Sequence, residues 1–340
     1  MSATIRDVAE QANVSVATVS RVLNGSDSVR AETEAQVLDA VEALNYLPNE
    51  AARSLRTQKT RTVGVLLPNM HGEFFAQVTR GLDQRAGRDG HHVLVSNSHT
   101  DEEEAESVLR SLLGRVEGLI ILWPRLDIEF LEALVPDDLP IVLLSTSVDT
   151  SRFRSLSFDN RGGAYAAVEH LAEHGHDRVA ILTGGPDNFD ARERLAGYRD
   201  AVADLGLVAD PALEIEGDFT QEAGRAAVAR LTRLSPRPTA LFASNDSMAL
   251  GVLRGMHEAG LRVPEDLALI GFDDIPTARY AAPSLTTIRA PTLELGRRAV
   301  DTLLRASTSA EAPRHQTLET RLVRRESCGC ASVGAPTEDP

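Results

Sequence analysis

From residue 62 onward, short apolar runs bounded by turn residues alternate with longer segments of helical period, and the alternation occurs twice in succession. This is the pattern of βαβ units, whose strands pair in parallel and whose helices cover both faces of a sheet. The first series reads as strand 63–67 (VGVLL), helix 74–88, strand 93–97, helix 102–113, strand 118–122 and strand 141–144. The second begins at Arg178 with VAILTG and runs through helix 190–205, a short strand at 214–216, helix 221–234, TALFAS, helix 246–259 and DLALIGF. A closing segment at 283–291 and a helix at 292–305 follow. Two doubly wound α/β lobes are therefore expected within 62–330, with crossovers between them near 157–160, 274–278 and 319–324. On that division the N-lobe takes about 62–158 plus 275–290, and the C-lobe about 160–273 plus 291–320.

The first sixty residues follow a different period. Ile5, Val8, Ala9 and Ala12 are spaced as one face of a helix, and Thr4 three residues before Asp7 is an N-cap pattern. Residues 12–15 break that period, and Ser15 can cap a second helix, 16–24, which Gly25 ends. Val14, Val19 and Val22 would pack back on the first helix. A third helix, 31–45, closes the small core with Val37, Val41 and Leu44. Two short helices across a tight turn can lay the second in the major groove of DNA, although the same unit also occurs as a packing module.

The outward face of the second helix carries Val16, Ala17, Thr18, Ser20 and Arg21, small or polar except for Val16. Arg21 can reach guanine O6 and N7, and Val16 a thymine methyl. Ser15, Thr18, Asn24 and Thr33 are candidate phosphate donors, which set register without reading sequence. Pro48 stops the third helix, and 49–56 (NEAARSLR) would form a helix of only about eight residues, too short to stand alone in water. Its Leu55 could wedge into a minor-groove step; a solvated linker is the alternative. The expected domains are a helix-turn-helix unit at 1–48, a hinge helix and linker at 49–61, the two-lobed core at 62–330 and a disordered tail at 331–340.

Charge supports this division. The chain of 340 residues has a formal net charge of −15, yet residues 1–61 hold seven Lys and Arg against eight Asp and Glu, so −14 of it lies in the remainder. An acidic body excludes nucleic-acid binding by bulk charge, but a near-neutral front end can still present a basic face. Apolar residues make up 42% and charged residues 25%, the balance of an ordinary globular protein, so extensive disorder is excluded. The longest uncharged apolar run, 118–124, cannot span a bilayer, and no basic segment followed by an apolar one opens the chain. Two cysteines, Cys328 and Cys330, give no disulfide framework. A cytoplasmic protein is expected.

In a doubly wound sheet the carboxyl ends of the strands face the ligand crevice. Asn245 and Asp246 follow TALFAS, Asp273 ends ALIGF, Arg194 lies early in the helix after the loop 184–189, and Asp159 and Asn160 sit near a crossover. Phe219 could add an aromatic platform. Charged planar groups with one ring suit a polyhydroxyl ligand, because carboxylate and guanidinium bond vicinal hydroxyls while the ring covers the C–H face. Taken singly, each is as readily a cap or an ion pair.

Residues 4–56, TIRDVAEQANVSVATVSRVLNG…VRAETEAQVLDAVEALNYLPNEAARSLR, resemble the headpiece and hinge of the lac/gal repressor (LacI/GalR) family nearly residue by residue. The likeness continues through EGLIIL, DNRGGA, GHDRVAIL, RLAGY, NDSMALG, GLRVPEDLALIGFDD and PSLTTIRAP, and so covers about the first 325 residues. It implies an all-α helix-turn-helix headpiece with hinge helix, followed by a two-lobed periplasmic-binding-protein-like core. It also implies that Val16 and Ala17 are the main base-reading pair, with Arg21 beside them, and that Leu55 is the minor-groove lever. Thr4, Ile5, Ser28, Asn49 and Ala52 complete the expected DNA-facing set. Arg194, Asn245, Asp273 and Phe219 match the family's effector contacts, and Phe74, Phe75, Trp123 and Ser145 match its N-lobe pocket positions. Ser145 stands where sugar-responsive members often carry aspartate, and no purine-reading set is evident.

Other signals carry no function. His170, His174 and His176 lack further ligands at metal-binding spacing. Neither GxGxxG, GxxxxGK[ST], a nucleophile elbow nor HExxH occurs. An enzyme and a sugar-transport protein are therefore the lesser alternatives, the latter also disfavoured by the N-terminal helices. The expectation is a transcriptional regulator, a repressor, without cofactor or metal. It would act as a homodimer, with a tetramer left open, on a palindromic double-stranded operator under a small-molecule effector, a sugar or sugar derivative.

Overall fold

The computed structural model describes residues 3–23, 29–46, 60–68, 72–97, 102–123, 127–146, 152–306 and 313–329. The chain divides into two compact units, Met1–Thr60 and Arg61–Pro340.

In the N-terminal unit, α1 (Ile5–Gln11), α2 (Val16–Leu23) and α3 (Ala31–Ala43) surround Val8, Ala9, Val19, Val22, Val37 and Ala40. The start of α1 is a reciprocal capping box. The Thr4 N–H donates to Asp7 Oδ2 at 2.7 Å, and the Asp7 N–H donates to Thr4 Oγ1 at 3.4 Å. The bonds that the Thr4 N–H and hydroxyl donate to it hold the Asp7 carboxyl below its ordinary pKa. Ser15 begins α2 by accepting from the Thr18 N–H at 3.1 Å. The expected hinge helix at 49–56 and the tail at 331–340 lie outside the described residues.

The larger unit contains two six-stranded sheets. Its elements run β1 (Thr62–Leu67), α4 (Glu73–Arg88), β2 (His92–Asn97), α5 (Glu102–Leu112), β3 (Gly118–Ile121), α6 (Ile128–Leu134), β4 (Ile141–Leu144) and β5 (Arg154–Phe158). They continue with α7 (Asn160–Glu173), β6 (Val179–Thr183), α8 (Phe189–Asp204), β7 (Glu214–Glu216), α9 (Gln221–Leu231), β8 (Ala240–Ala243), α10 (Asp246–Glu258) and β9 (Ala268–Asp273). A 3-10 turn (Pro276–Tyr280), β10 (Thr286–Arg289), α11 (Thr292–Ala306), β11 (His315–Leu318) and β12 (Arg321–Val323) complete the unit.

The N-lobe sheet has the order β11-β5-β4-β3-β1-β2 and the C-lobe sheet β12-β10-β9-β8-β6-β7. All pairings are parallel except β10 with β12. The order reverses two of the expected lobe assignments. Residues 275–290 belong to the C-lobe, because β10 pairs with β9 and Ile275, Ala278 and Leu285 lie in that lobe's core. Residues 291–320 belong to the N-lobe, because α11 packs on α4 and on β3, β4 and β5, and β11 pairs with β5. The middle crossover therefore lies between β10 and α11, not at 274–278; the other two fall where expected, at β5 to α7 and β11 to β12.

Helices α4 and α11 meet through glycines. A Cβ on Gly81 would lie 2.1 Å from the Leu293 carbonyl oxygen, and one on Gly296 would lie 2.3 Å from that of Val78. The missing side chains let the two backbones touch, which seats α11 on the N-lobe sheet. A continuous apolar cluster runs from Val63, Val142 and Leu156 to Val179, Phe242 and Phe272, linking the lobes beneath the crossovers.

Candidate functional site

In α2, each residue advances about 100° around the axis, so Val16, Ala17, Ser20 and Arg21 fall within one arc and Val19 and Val22 on the opposite side. The burial follows that division: Val19 and Val22 are in the core, while Ser15, Val16, Ala17 and Arg21 are exposed. Val16 is 42% exposed. The polar candidates are tied locally. Ser15 Oγ lies 2.9 Å from Thr18 Oγ1, and the Thr4 hydroxyl donates to Asp7 Oδ2 at 2.8 Å. Thr33 is half-buried in the first turn of α3, Ser20 is half-buried, and Ile5 packs against the small core. Asn24, Ser28, Asn49, Ala52 and Leu55 lie outside the described residues.

Between the two lobes of the larger unit lies a cavity of about 300 Å³, the lower end of the range for small-molecule sites. It is built at the carboxyl ends of strands, as the rule for open α/β sheets requires. Pro68, Leu122 and Ser145 follow β1, β3 and β4, and Asn245 and Asp273 stand at the ends of β8 and β9. Seven of the eight expected effector residues line it: Phe74, Phe75, Ser145, Arg194, Phe219, Asn245 and Asp273. Trp123 does not. It is 5% exposed in the N-lobe core beside Leu66 and Leu131, and its Nε1 has no partner among the described residues. Leu122 takes the cavity position, and the next residue along an extended chain faces the other way.

Asp246 is a second correction. It follows β8 as expected but is fully buried, accepting from Thr287 Oγ1 at 2.5 Å and the Ile275 N–H at 2.9 Å. Burial, then the nearby Asp273 charge, pushes its pKa well above the carboxylate range, so it is a structural acid beneath the site. Asn160 also stands behind the wall. Its amide donates to Asp190 Oδ1 at 2.8 Å and its carbonyl oxygen accepts from Arg194 Nε at 2.8 Å. Asp190, Asn188, Asp218, Thr220, Ser247 and Glu73 line the cavity without having been singled out in the sequence. The available signals were N-cap spacings: Asn188 Oδ1 accepts from the Ala191 N–H at 3.0 Å, and Thr220 Oγ1 from the Ala223 N–H at 3.1 Å.

Arg194 is 3% exposed and stacks its guanidinium 3.7 Å from the Phe272 ring centroid. Its NH1 donates to the Ser244 carbonyl and its NH2 lies 3.5 Å from Asp273 Oδ1. The Asp273 carboxylate is thus buried beside a cation committed elsewhere. Burial pushes its pKa up to about 7, Arg194 opposing and Asp190 adding to the shift. Asn245 caps α10 through the Met248 N–H at 2.9 Å and donates to the Phe219 carbonyl at 3.1 Å, fixing the ring's loop. Ser145 has φ 54° and a buried Oγ with no partner among the described residues. The wall therefore offers the carboxyl groups of Glu73, Asp190, Asp218 and Asp273, the Arg194 guanidinium, the amides of Asn188 and Asn245, the unengaged Ser145 hydroxyl and three phenyl rings. Among the described residues no three His, Cys, Asp or Glu side chains converge as a metal shell. Cys328 is buried, accepting from Thr286 Oγ1 at 3.2 Å, and Cys330 lies outside the described residues.

Residues 4–49 match the family described as bacterial regulatory proteins, lacI family, and residues 168–328 match the periplasmic binding protein-like domain. The HTH-type transcriptional repressor PurR of Aliivibrio fischeri is 39% identical over 306 residues, covering 89% of this chain and 91% of that protein. The chain belongs to the LacI family. Among solved LacI-family structures, the lac repressor dimer bound to operator and the anti-inducer ONPF superposes with a TM-score of 0.89 at 33% identity. That match covers 96% of this chain and 99% of that one. The transcriptional regulator CelR–cellobiose complex superposes at 0.73 with 32% identity, covering 96% and 99%. As a LacI-family protein this chain is a transcriptional repressor with a ligand-binding core, not an enzyme. No helix among the described residues is long and apolar enough to cross a membrane.

Proposed function

We propose that the chain is a homodimeric repressor that binds a palindromic operator, and that a sugar or sugar derivative in the interlobe cavity controls that binding. The observation that carries the effector reading is the joint placement of Asp273, Arg194, Asn245, the unengaged Ser145 hydroxyl and the Phe74, Phe75 and Phe219 rings around one cavity. Bidentate groups for vicinal hydroxyls beside apolar rings suit a neutral polyhydroxyl ring. The cellobiose bound by a relative of the same architecture supports the same class. On the DNA side, Val16, Ala17 and Arg21 read base edges, Ser15, Thr18 and Thr33 meet phosphates, and Leu55 enters the minor groove. Two headpieces are needed because one buries too little surface for specific affinity.

A thermal-shift screen of monosaccharides, disaccharides, nucleobases and other metabolites tests the effector. A binding ligand at a hundred times its Kd stabilises by about 2.7 kcal/mol. A sugar that stabilises the wild type but not Asp273→Ala, and changes operator affinity, is the expected result. Stabilisation by a nucleobase or other non-sugar alone would overturn the class. Sedimentation at micromolar concentration tests the dimer.

A further inference from the structure

Glu73, the first residue of α4, belongs to the N-lobe and lines the cavity. Its carboxylate accepts two bonds from a single residue of the opposite lobe, the backbone N–H of Thr277 at 2.9 Å and the Thr277 hydroxyl. Thr277 sits in the 3-10 turn Pro276–Tyr280, which the buried Ile275 and Ala278 root in the C-lobe core. The turn is braced by bonds from Ala278 N to the Ile275 oxygen at 2.9 Å and from Leu285 N to the Ala278 oxygen at 2.8 Å. Both donors are therefore presented by a rigid segment to one carboxylate across the mouth of the cavity.

The contact differs in kind from the crossovers and the apolar cluster that also join the lobes. Thr277 is exposed and Glu73 only half-buried, so the bonds can break and re-form without uncovering core. Two donors on one ionised acceptor make it stronger than a neutral bond. We propose that Glu73 and Thr277 form a latch that holds the lobes in the closed arrangement and must release for a ligand to enter or leave. Glu73 is thus a positioning residue for the site. The ligand class does not enter the argument, but the latch's role in gating rests on the cavity being the effector site.

The test needs neither ligand nor operator. Spectroscopic labels are attached at Arg88 and Arg233, exposed positions on opposite lobes, through a non-cysteine handle that spares Cys328. Doubly labelled full-length chain is diluted into excess unlabelled protein, and the interlabel distance distribution is measured. Wild type gives a dominant short distance. Glu73→Ala raises the long-distance population roughly tenfold, the effect of losing charge-assisted bonds worth about 1.4 kcal/mol net. Thr277→Val keeps the N–H and shifts less; Glu73→Gln keeps a neutral acceptor and lies in between. Combining Thr277→Val with Glu73→Ala adds nothing, since both remove the same contact. Unchanged distributions in the single variants, or additive effects in the double, overturn the latch. Failure of every sugar to bind would leave this result standing and overturn only the effector class.

Discussion

Asp273 gives the site a signature in stability against pH. Its carboxyl titrates near 3.8 when unperturbed and near 7 in the folded protein, because burial removes its water while Arg194, at 3.5 Å, supplies only a loose partner. Between those values the folded state holds a proton that the unfolded state has released. Stability therefore falls as pH rises through this window, and the loss is complete above about pH 7. About three pKa units correspond to roughly 4 kcal/mol in all, of which about 2 kcal/mol falls between pH 5.5 and 7. Asp273→Asn keeps the shape and abolishes the titration. Arg194 retains its bonds to Asn160 and the Ser244 carbonyl, so little is lost in exchange. Urea unfolding of wild type and variant from pH 5.5 to 8 should show the variant's lead over wild type growing by about 2 kcal/mol across that range. Asp246 titrates in the same direction in both proteins, and because the Asp273 charge is the second cause of its upward shift, its pH-dependent loss is smaller in the variant and adds to the difference rather than opposing it. Parallel curves would refute the assignment of a buried, poorly compensated carboxyl at this position.

Three further outcomes are expected. Gly81→Ala places a methyl 2.1 Å from the Leu293 carbonyl oxygen and should separate α4 from α11, lowering stability by about 2–3 kcal/mol and the melting temperature by roughly 5–10 °C in calorimetry. Leu55→Ala should weaken specific operator binding far more than binding to random DNA in a titration; equal losses on both would remove the lever. Operator affinity should fall roughly a thousandfold or more between 50 and 200 mM salt if about six phosphates are neutralised, and a flat titration would contradict the phosphate contacts.

Most elements were legible because their periods are strong. The strands 141–144 and 214–216 and the start of α11 fall where the pattern places them. What the pattern could not supply was the partner of each element. Helix α11 has a clear apolar face with Leu295, Ala299, Val300 and Leu303 buried, but that face would suit either sheet. Only the strand order and the backbone contact at Gly81 and Gly296 assign it to the N-lobe. Strand β5 (RSLSF) hides behind two serines, and those serines point at His315 on the neighbouring β11, at 2.8 and 3.2 Å. Helix α6 has seven residues, too few for a period to show. At the site, strand ends located Asn245 and Asp273, whereas Trp123 was misplaced by one step of alternation. Asp218 and Glu73 gave no signal at all, because they become neighbours of the cavity only through tertiary folding.

The cavity wall and the crossovers share bonds, and this is how a modest ligand contact can bias a lobe rearrangement. Asp273 and Asp274 are consecutive non-glycine residues at φ 111° and 57°, a strained turn that aims one carboxylate at the cavity and the next away from it. Asp274 receives Arg289 Nε at 2.5 Å, at the last residue before the middle crossover, and Arg325 Nη2 at 2.6 Å, two residues beyond β12. Asn160, the first residue beyond the remaining crossover, bridges Asp190 and Arg194. Two of the three crossovers are therefore one hydrogen bond from a cavity residue or its immediate neighbour, and the third is reached through β12. Allosteric coupling of about 1–3 kcal/mol, enough for a 5- to 150-fold change in affinity, corresponds to the gain or loss of one or two such bonds. Because the coupling is reciprocal, an effector that releases operator must itself bind more weakly, by the same factor, to the operator-bound protein.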